Sequence, residues 1–376
     1  MGLSNAAPKG TRCRLIRLQA AAFVRLRSFP FCYNFADGTF SSETHMGESD
    51  NGAKSNGNKE MTRREFVGRI ALGAAAAAAV ASAAGSVALA AARALAAPEA
   101  GTIPKRKLGK TGYHATILGL GGCSIPGGSD AEKVAAINRA IDLGVNYCDT
   151  ASQYGNRQAE KRLGMVMKTR RKEVFLATKT LERADWKAEA EIADSLKYLQ
   201  TDVIDLIQLH SINDMHTLEM VMGKSGSFKA AEKMQRQGYV RFIGITGHTR
   251  PEVIARALEM YPFATVLVPL GVTDQFKGDF ASELIPKARE AGCGIIGMKV
   301  LTSGKVVGKL PVADCLRYTM SLPITVSIVG MGSVAEVDEN VRVAKSFRPM
   351  TKAELEAVSN AASPHGNTDN MWWKKT

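Results

Sequence analysis

V-N-Y-C-D-T-A-S-Q-Y-G, residues 145–155, is an apolar run that ends in an acid, Asp149, and continues into a loop of small residues carrying Tyr154. A buried strand delivers side chains in this way to a site at its C-terminal end. Two later apolar runs also stop at residues that buried strands disfavour. V-F-L-A-T-K closes on Lys179, and D-V-I-D-L-I-Q-L-H closes on His210. An acid, a phenol, an amine and an imidazole at successive strand ends are the components of a proton-transfer site.

Outward from that stretch, strand-like and helix-like segments alternate. The strand-like runs are A-T-I-L-G-L-G-G at 115–122, V-N-Y-C-D at 145–149, V-F-L-A-T-K at 174–179 and V-I-D-L-I-Q-L-H at 203–210. They continue with V-R-F-I-G-I-T at 240–246, T-V-L-V-P at 265–269, G-I-I-G-M-K at 294–299 and I-T-V-S-I-V at 324–329. Between and after them lie helical stretches at 130–143, 157–167, 187–200, 228–237, 251–260, 281–290, 311–320 and 334–343. Alternation with buried strands predicts a parallel sheet, and eight units predict its closure into a (β/α)8 TIM barrel spanning 98–376. A ninth helix at 352–361, with Thr351 as N-cap and Glu354 three residues on, is expected outside the barrel. In such a barrel Asp149, Lys179 and His210 point into one mouth. Singly, each of the four candidates has an ordinary structural role open to it: a turn cap, a half-buried loop tyrosine, a solvated lysine, a core histidine. Their joint placement is what points to a site.

The segment D-T-A-S-Q-Y-G-N-R-Q-A-E-K-R-L-G resembles the aldo-keto reductase pattern of Asp, then Tyr-Gly, then an acid before Leu-Gly, and Lys179 and His210 fall where that family keeps its other two catalytic residues. The likeness runs over roughly 104–347. It includes R-K-L-G-K-T-G-Y at 106–113, S-L-K-Y-L-Q-T-D-V-I-D-L-I-Q-L-H at 195–210, V-R-F-I-G-I-T-G-H at 240–248 and S-I-V-G-M-G-S-V-A-E-V-D-E-N at 327–340. The resemblance implies hydride transfer between a nicotinamide and a small carbonyl compound or the matching alcohol. Tyr154 is then the proton donor or acceptor, and His210 donates a hydrogen bond to the carbonyl oxygen. A free phenol has a pKa of about 10. An ammonium at Lys179, held by Asp149, stabilises the phenolate and brings that value down.

For the cofactor the resemblance implies Thr246, Gly330, Ser333, Glu339 and Asn340 as contacts, and NADP or NAD as the group. Thr246 keeps the family's hydroxyl after the fifth strand, but Gly247 replaces the following Asn, and Leu267 and Gly271 stand where Gln and Asn often hold the nicotinamide amide. The basic residues that commonly bind a 2'-phosphate are absent around Gly330, Gly332 and Glu336, so the choice between NAD and NADP stays open. A second reading follows from these departures, a nucleotide-binding regulatory or partner-binding barrel with little turnover. The loop G-M-G-S-V-A at 330–335 opens a helix whose first N–H groups suit a phosphate.

Of the formal net charge of +13 on 376 residues, residues 1–97 carry +6, so no nucleic-acid partner is inferred. Cys123, Cys148, Cys293 and Cys315 lack metal-ligand spacing; no metal is expected, and buried reduced thiols are, with Cys123 and Cys148 in the core. The tail has no cysteine, so no iron-sulfur cluster is expected, and Trp372-Trp373 reads as a disordered end, with a wall of the substrate pocket as the other reading. Residues 61–97 start M-T-R-R-E-F, pass through an Ala-rich apolar run and end A-L-A-A-P. That pattern reads as a signal peptide and resembles the twin-arginine type, whose export machinery would be a partner. The barrel is then expected in a bacterial periplasm, or anchored in the membrane if the signal is not cleaved. Residues 1–60 read as a disordered leader and as an upstream mis-start, with translation from Met61; an organellar transit segment is the competing reading.

Overall fold

The computed structural model describes residues 101–375. The readings of 1–60 and 61–97 fall outside the described residues. Eight parallel strands close into a barrel: β3 (Leu118–Gly121), β4 (Tyr147–Asp149), β5 (Phe175–Thr180), β6 (Ile204–Leu209), β7 (Val240–Thr246), β8 (Thr265–Pro269), β9 (Gly294–Met298) and β10 (Val326–Gly330). Each pairs with its sequence neighbours, and β10 pairs with both β9 and β3, which shuts the ring. The expected (β/α)8 architecture is therefore the observed one, with strand positions close to those of the apolar runs.

The main helices are α1 (Asp130–Asp142), α2 (Gln158–Arg170), α3 (Asp185–Tyr198), α4 (Met215–Met222), α5 (Ser227–Arg236), α6 (Pro251–Met260), α7 (Phe280–Glu283), α8 (Ile285–Glu290), α9 (Val312–Ser321), α10 (Val334–Lys345) and α11 (Lys352–Ala362). Their apolar faces and the outward residues of the strands form one continuous layer, with Leu118, Leu120, Ile207, Leu209, Ile243 and Ile245 on the sheet side. Gly164 is where α2 comes closest to the end of α3. A Cβ there would stand 2.1 Å from the Tyr198 carbonyl oxygen, so the glycine of the Leu-Gly motif is a packing requirement. In α11 both halves of the capping box are formed by Thr351 and Glu354.

The barrel's interior is a second, separate cluster: Tyr147, Phe175, Ala177, Leu206, Leu267, Ile296, Met298, Val326 and Ile328. Side chains alternate along a strand, so the residues two positions further on point inward as well. Asp149 follows Tyr147, Lys179 follows Ala177, and Gln208 and His210 follow Leu206. The lower layers are thus apolar and the uppermost is polar. Burial and stacking support the sealed lower part, where the Tyr147 and Phe175 rings lie 5.8 Å apart.

Three features depart from expectation. The first apolar run is split. Ala115 and Thr116 belong to β2 (His114–Thr116), which pairs with β1 (Lys105–Lys107) in an antiparallel hairpin carrying Leu108 into the interior cluster. Only from Leu118 does the chain enter the barrel. Cys123 is exposed on a short turn after β3 and not in the core, because the chain has already left the sheet; Cys148, Cys293 and Cys315 are buried thiols. The tail is not a loose end either. It folds back so that Trp373 and Lys374 are buried.

Candidate active site

At the C-terminal rim of β4 and β5 the Lys179 ammonium makes three contacts that use its donors. It forms a short ion pair with Asp149, donates to the Thr150 carbonyl oxygen at 2.7 Å and lies 3.5 Å from Tyr154 Oη. Both charged partners of the pair are 1% exposed. Desolvating two charges is costly, and the cost is met here by geometry and by added hydrogen bonds. Asp149 accepts from Gln208 Nε2 at 2.9 Å and from the Tyr147 hydroxyl at 3.4 Å, so its second oxygen is bonded too. The Tyr147 phenol is held well above its usual range by burial and the neighbouring Asp149, which keeps it a donor.

His210 follows β6, and its ring stands edge-on to Tyr154 with centroids 6.3 Å apart. His248, in the loop after β7, lies 6.2 Å away on another side. Burial, then the Lys179 charge, pushes the His210 pKa well down; burial and Lys299 do the same to His248. Both imidazoles are therefore neutral near neutral pH. Asp149, Tyr154, Lys179 and His210 are thus brought together at one end of the barrel.

The loop between Asp149 and α2 is fixed from behind. Glu160, fully buried, accepts from Arg157 at 2.9 Å and from the Thr178 hydroxyl at 2.8 Å, tying α2 to the outer face of β5. Burial raises the Glu160 pKa. The acid of the motif is thus a structural anchor one layer behind the chemistry. Arg162 in the same motif is 4% exposed and donates to the carbonyls of Ile125, Pro126, Gly127 and Gly128 while pairing with Asp130 at 2.7 Å. It holds the loop after β3 shut.

The expected cofactor contacts fall into two places. Thr246 ends β7, is buried, and its hydroxyl accepts from the Ser211 N–H at 2.8 Å. Gly330 and Ser333 sit between β10 and α10, where Ser333 caps the helix. Asn340 is buried in α10 and Glu339 is exposed on it. A nicotinamide dinucleotide fits this loop on two observations. The Ser124 hydroxyl beside it is buried without a hydrogen-bond partner, and a Cβ at Gly330 would stand 3.0 Å from Ser124 Cβ, so the chain keeps a narrow cradle open there. Lys133 of α1 brings a cation to the same loop, with Nζ donating to Gly332 O at 2.6 Å.

Several participants lay beyond the sequence reading. Gln208 stands in an apolar run, two residues before His210 on the same face. Gln153 Oε1 lies 3.0 Å from His210 Nδ1, and Gln153 Nε2 donates to Glu191 at 2.8 Å. Asp274, Trp373 and Lys374 form a buried group at the tail: Trp373 Nε1 donates to Asp274 at 3.3 Å, and Lys374 Nζ is 3.8 Å from it. Lys299, just after β9, lies against the rings of Trp372 and Trp373 at 4.9 and 4.8 Å.

The profile of the aldo/keto reductase family matches residues 117–310. L-galactose dehydrogenase of Arabidopsis thaliana is 30% identical over 71% of this chain and 99% of its own. In fold, the chain is similar to an aldo-keto reductase of Bacillus halodurans in its holo form (TM-score 0.59, 24% identity, 69% of this chain and 96% of that one). It is also similar to one of Klebsiella pneumoniae in complex with NADPH (TM-score 0.58, 20% identity, 69% and 95%). A closed eight-stranded barrel, an Asp-Lys-Tyr cluster at its C-terminal rim and a relative matched over nearly its whole length lead to one conclusion: this chain belongs to the aldo/keto reductase family.

Proposed function

We propose that the protein is an NAD(P)(H)-dependent oxidoreductase that interconverts aldehydes or ketones and the matching alcohols, with Tyr154 giving or taking the proton. The observation that carries this reading is the buried Lys179 ammonium placed between Asp149 and the Tyr154 hydroxyl, 3.5 Å from the latter. When bound, the nicotinamide supplies or accepts the hydride. Thr246, Gly330, Ser333, Glu339 and Asn340, with Ser124, are the residues that would hold the dinucleotide.

The chain's own part is proton transfer and positioning. In reduction the Tyr154 O–H donates to the carbonyl oxygen, and the negative charge left on the phenolate is stabilised by Lys179. Asp149 keeps the ammonium aimed, and Gln208 and Tyr147 keep Asp149 from turning. In oxidation the same phenolate accepts the alcohol's proton. The dehydrogenase named among the relatives and the NADPH complex among the structural neighbours support the redox class and the cofactor class. Tyr154→Phe tests the assignment: kcat is expected to fall by roughly 10²–10⁴ with dinucleotide affinity kept. Unchanged turnover of the variant would remove Tyr154 from the chemistry.

We further propose that residues 61–97 are a twin-arginine export signal and that the barrel, 98–376, works in the periplasm. The support is Arg63-Arg64 with Phe66, followed by the Ala-rich apolar run. Intact-mass measurement on protein from the envelope fraction should find a chain beginning near Ala97; an uncleaved chain confined to the cytosol contradicts the proposal.

A further inference from the structure

The end of the barrel opposite the mouth carries charge that the chemistry does not use. Strand starts, helix ends and the hairpin of β1 and β2 meet there. Lys105 and Lys107 of β1 and Lys110 of the hairpin turn are exposed, as are Lys172 before β5, Arg289 at the end of α8 and Arg348 after α10. None of the six makes an ion pair among the described residues.

They belong to one face. Arg106, between the two strand lysines, donates to the carbonyl oxygens of Ile324 and Met320 at 2.7 and 2.9 Å and lies over the Phe347 ring, next to Arg348. The hairpin turn packs on the start of β9. A Cβ at Gly109 would stand 2.0 Å from the Gly294 nitrogen, which sets Lys110 beside the loop after α8. On the far side the Tyr113 ring lies 4.9 Å from that of Phe175, which opens β5 just after Lys172.

Neighbouring acids do not cancel this charge. Asp142 and Glu173 are both held by Arg170, at 2.6 and 2.8 Å, and Glu259 is held by Arg256 at 2.6 Å, while Asp202 and Glu290 are exposed. Basic residues at helix C-termini complement the helix dipole, which accounts for Arg289. It does not account for Lys105 and Lys107, which lie on a strand. Holding like charges together costs self-repulsion, which a polyanion removes.

Two observations identify the polyanion. Tyr239 before β7 and Met260 at the end of α6 are 45% and 43% exposed at the same end. An aromatic ring and an apolar side chain among cations suit the headgroup level of a bilayer. The chain also enters the barrel here, through Ile103 and Pro104, shortly after an uncharged apolar run at 70–92. We propose that the N-terminal end of the barrel is a docking surface for an anionic lipid bilayer. The cations meet the headgroups, Tyr239 and Met260 enter the interface, and the mouth at the other end opens away from the lipid.

Cosedimentation of the full chain with vesicles tests this. Each Lys or Arg close to an anionic surface is worth roughly fivefold in binding. At about 0.1 M salt, Lys105→Glu/Lys107→Glu/Lys110→Glu should bind vesicles of equal parts phosphatidylglycerol and phosphatidylcholine about a hundredfold more weakly than the parent, and about 1 M salt should remove the difference. Lys187→Glu/Lys224→Glu/Lys305→Glu makes the same change in net charge on exposed mouth-side lysines and should cost less than about threefold. Lys172→Glu/Arg348→Glu spares the hairpin and should cost about twentyfold, so it decides the matter if thermal melts show the hairpin variant to be misfolded. The run at 70–92 is common to all four proteins, so its own affinity cancels. Equal losses in the two triple variants would leave only net charge, and unchanged binding in the hairpin variant or the pair would leave the face without a role; either result overturns the proposal. So does tighter binding of the parent to a random DNA duplex than to the vesicles at equal phosphate concentration, which would make the partner a nucleic acid.

Discussion

At the scale of single residues, the distinctive choice is a fully buried ion pair placed where the barrel would otherwise continue its apolar packing. Lys179 and Asp149 each leave a desolvated charge behind if the other is removed. Lys179→Met should thus lose activity and also cost about 3–5 kcal/mol of stability. Adding Asp149→Asn to it should restore most of the stability and none of the activity, a separation visible by comparing urea melts with turnover. If the single variant is as stable as the parent, Asp149 is not relying on the ammonium. The pair itself was legible from the sequence, because an acid and a lysine at the ends of apolar runs are out of place in a core. Gln153 and Glu191 were not. A glutamine in a polar loop and a glutamate on an amphipathic helix are both ordinary, and only folding brings α3 against the loop after β4, where their bonds to each other and to His210 appear.

At the scale of elements, the strands announced themselves and the pieces outside the barrel did not. Parallel strands are covered on both faces, so β5 and β6 are buried at every position and read as mainly apolar runs without a solvent-facing polar side. The hairpin of β1 and β2 has three residues a side, with Lys-Arg-Lys largely exposed on one, and gives no such signal. Helix α4 buries only Leu218 and Val221 within a connection between β6 and α5, too little for a clear period. The motif after Tyr154 was legible as a family mark but not as a device. Its structural content is Arg162, whose guanidinium satisfies four carbonyls of the loop after β3 and pairs with Asp130. Arg162→Ala should leave those acceptors without their donor and cost about 3 kcal/mol. Arg162→Lys should recover little, since an ammonium lacks the planar fork that reaches several carbonyls at once. Chemical denaturation of the two variants checks this; equal recovery by lysine would mean that charge, not geometry, is what the loop needs.

At the scale of the whole molecule, the C-terminal tail joins the last residues described to the loop after β8, and the join is built around one buried acid. Asp274 is 2% exposed and receives N–H groups from Gly271 and Trp373, yet burial raises its pKa to about 7, ahead of the opposing pull of Lys374. The folded value lies above the unfolded one, so between about pH 4 and 7 the native state holds a proton that the unfolded chain has released. Stability from this group is complete at low pH and is lost as pH rises through 7. His210 and His248 act in the opposite sense. Their folded pKa values are depressed, so the unfolded chain takes up protons below about 6.5 and stability falls with acid. Absolute stability should therefore peak near neutrality, and the Asp274 contribution has to be read as a difference. Asp274→Asn cannot ionise, so its stability relative to the parent should improve by about 2–3 kcal/mol between pH 5 and pH 8. Thermal melts of both proteins across that range measure it. A relative stability that does not change with pH would mean that Asp274 is already ionised in the folded protein at pH 5, and that its pairing with Lys374 outweighs the cost of burying the two charges.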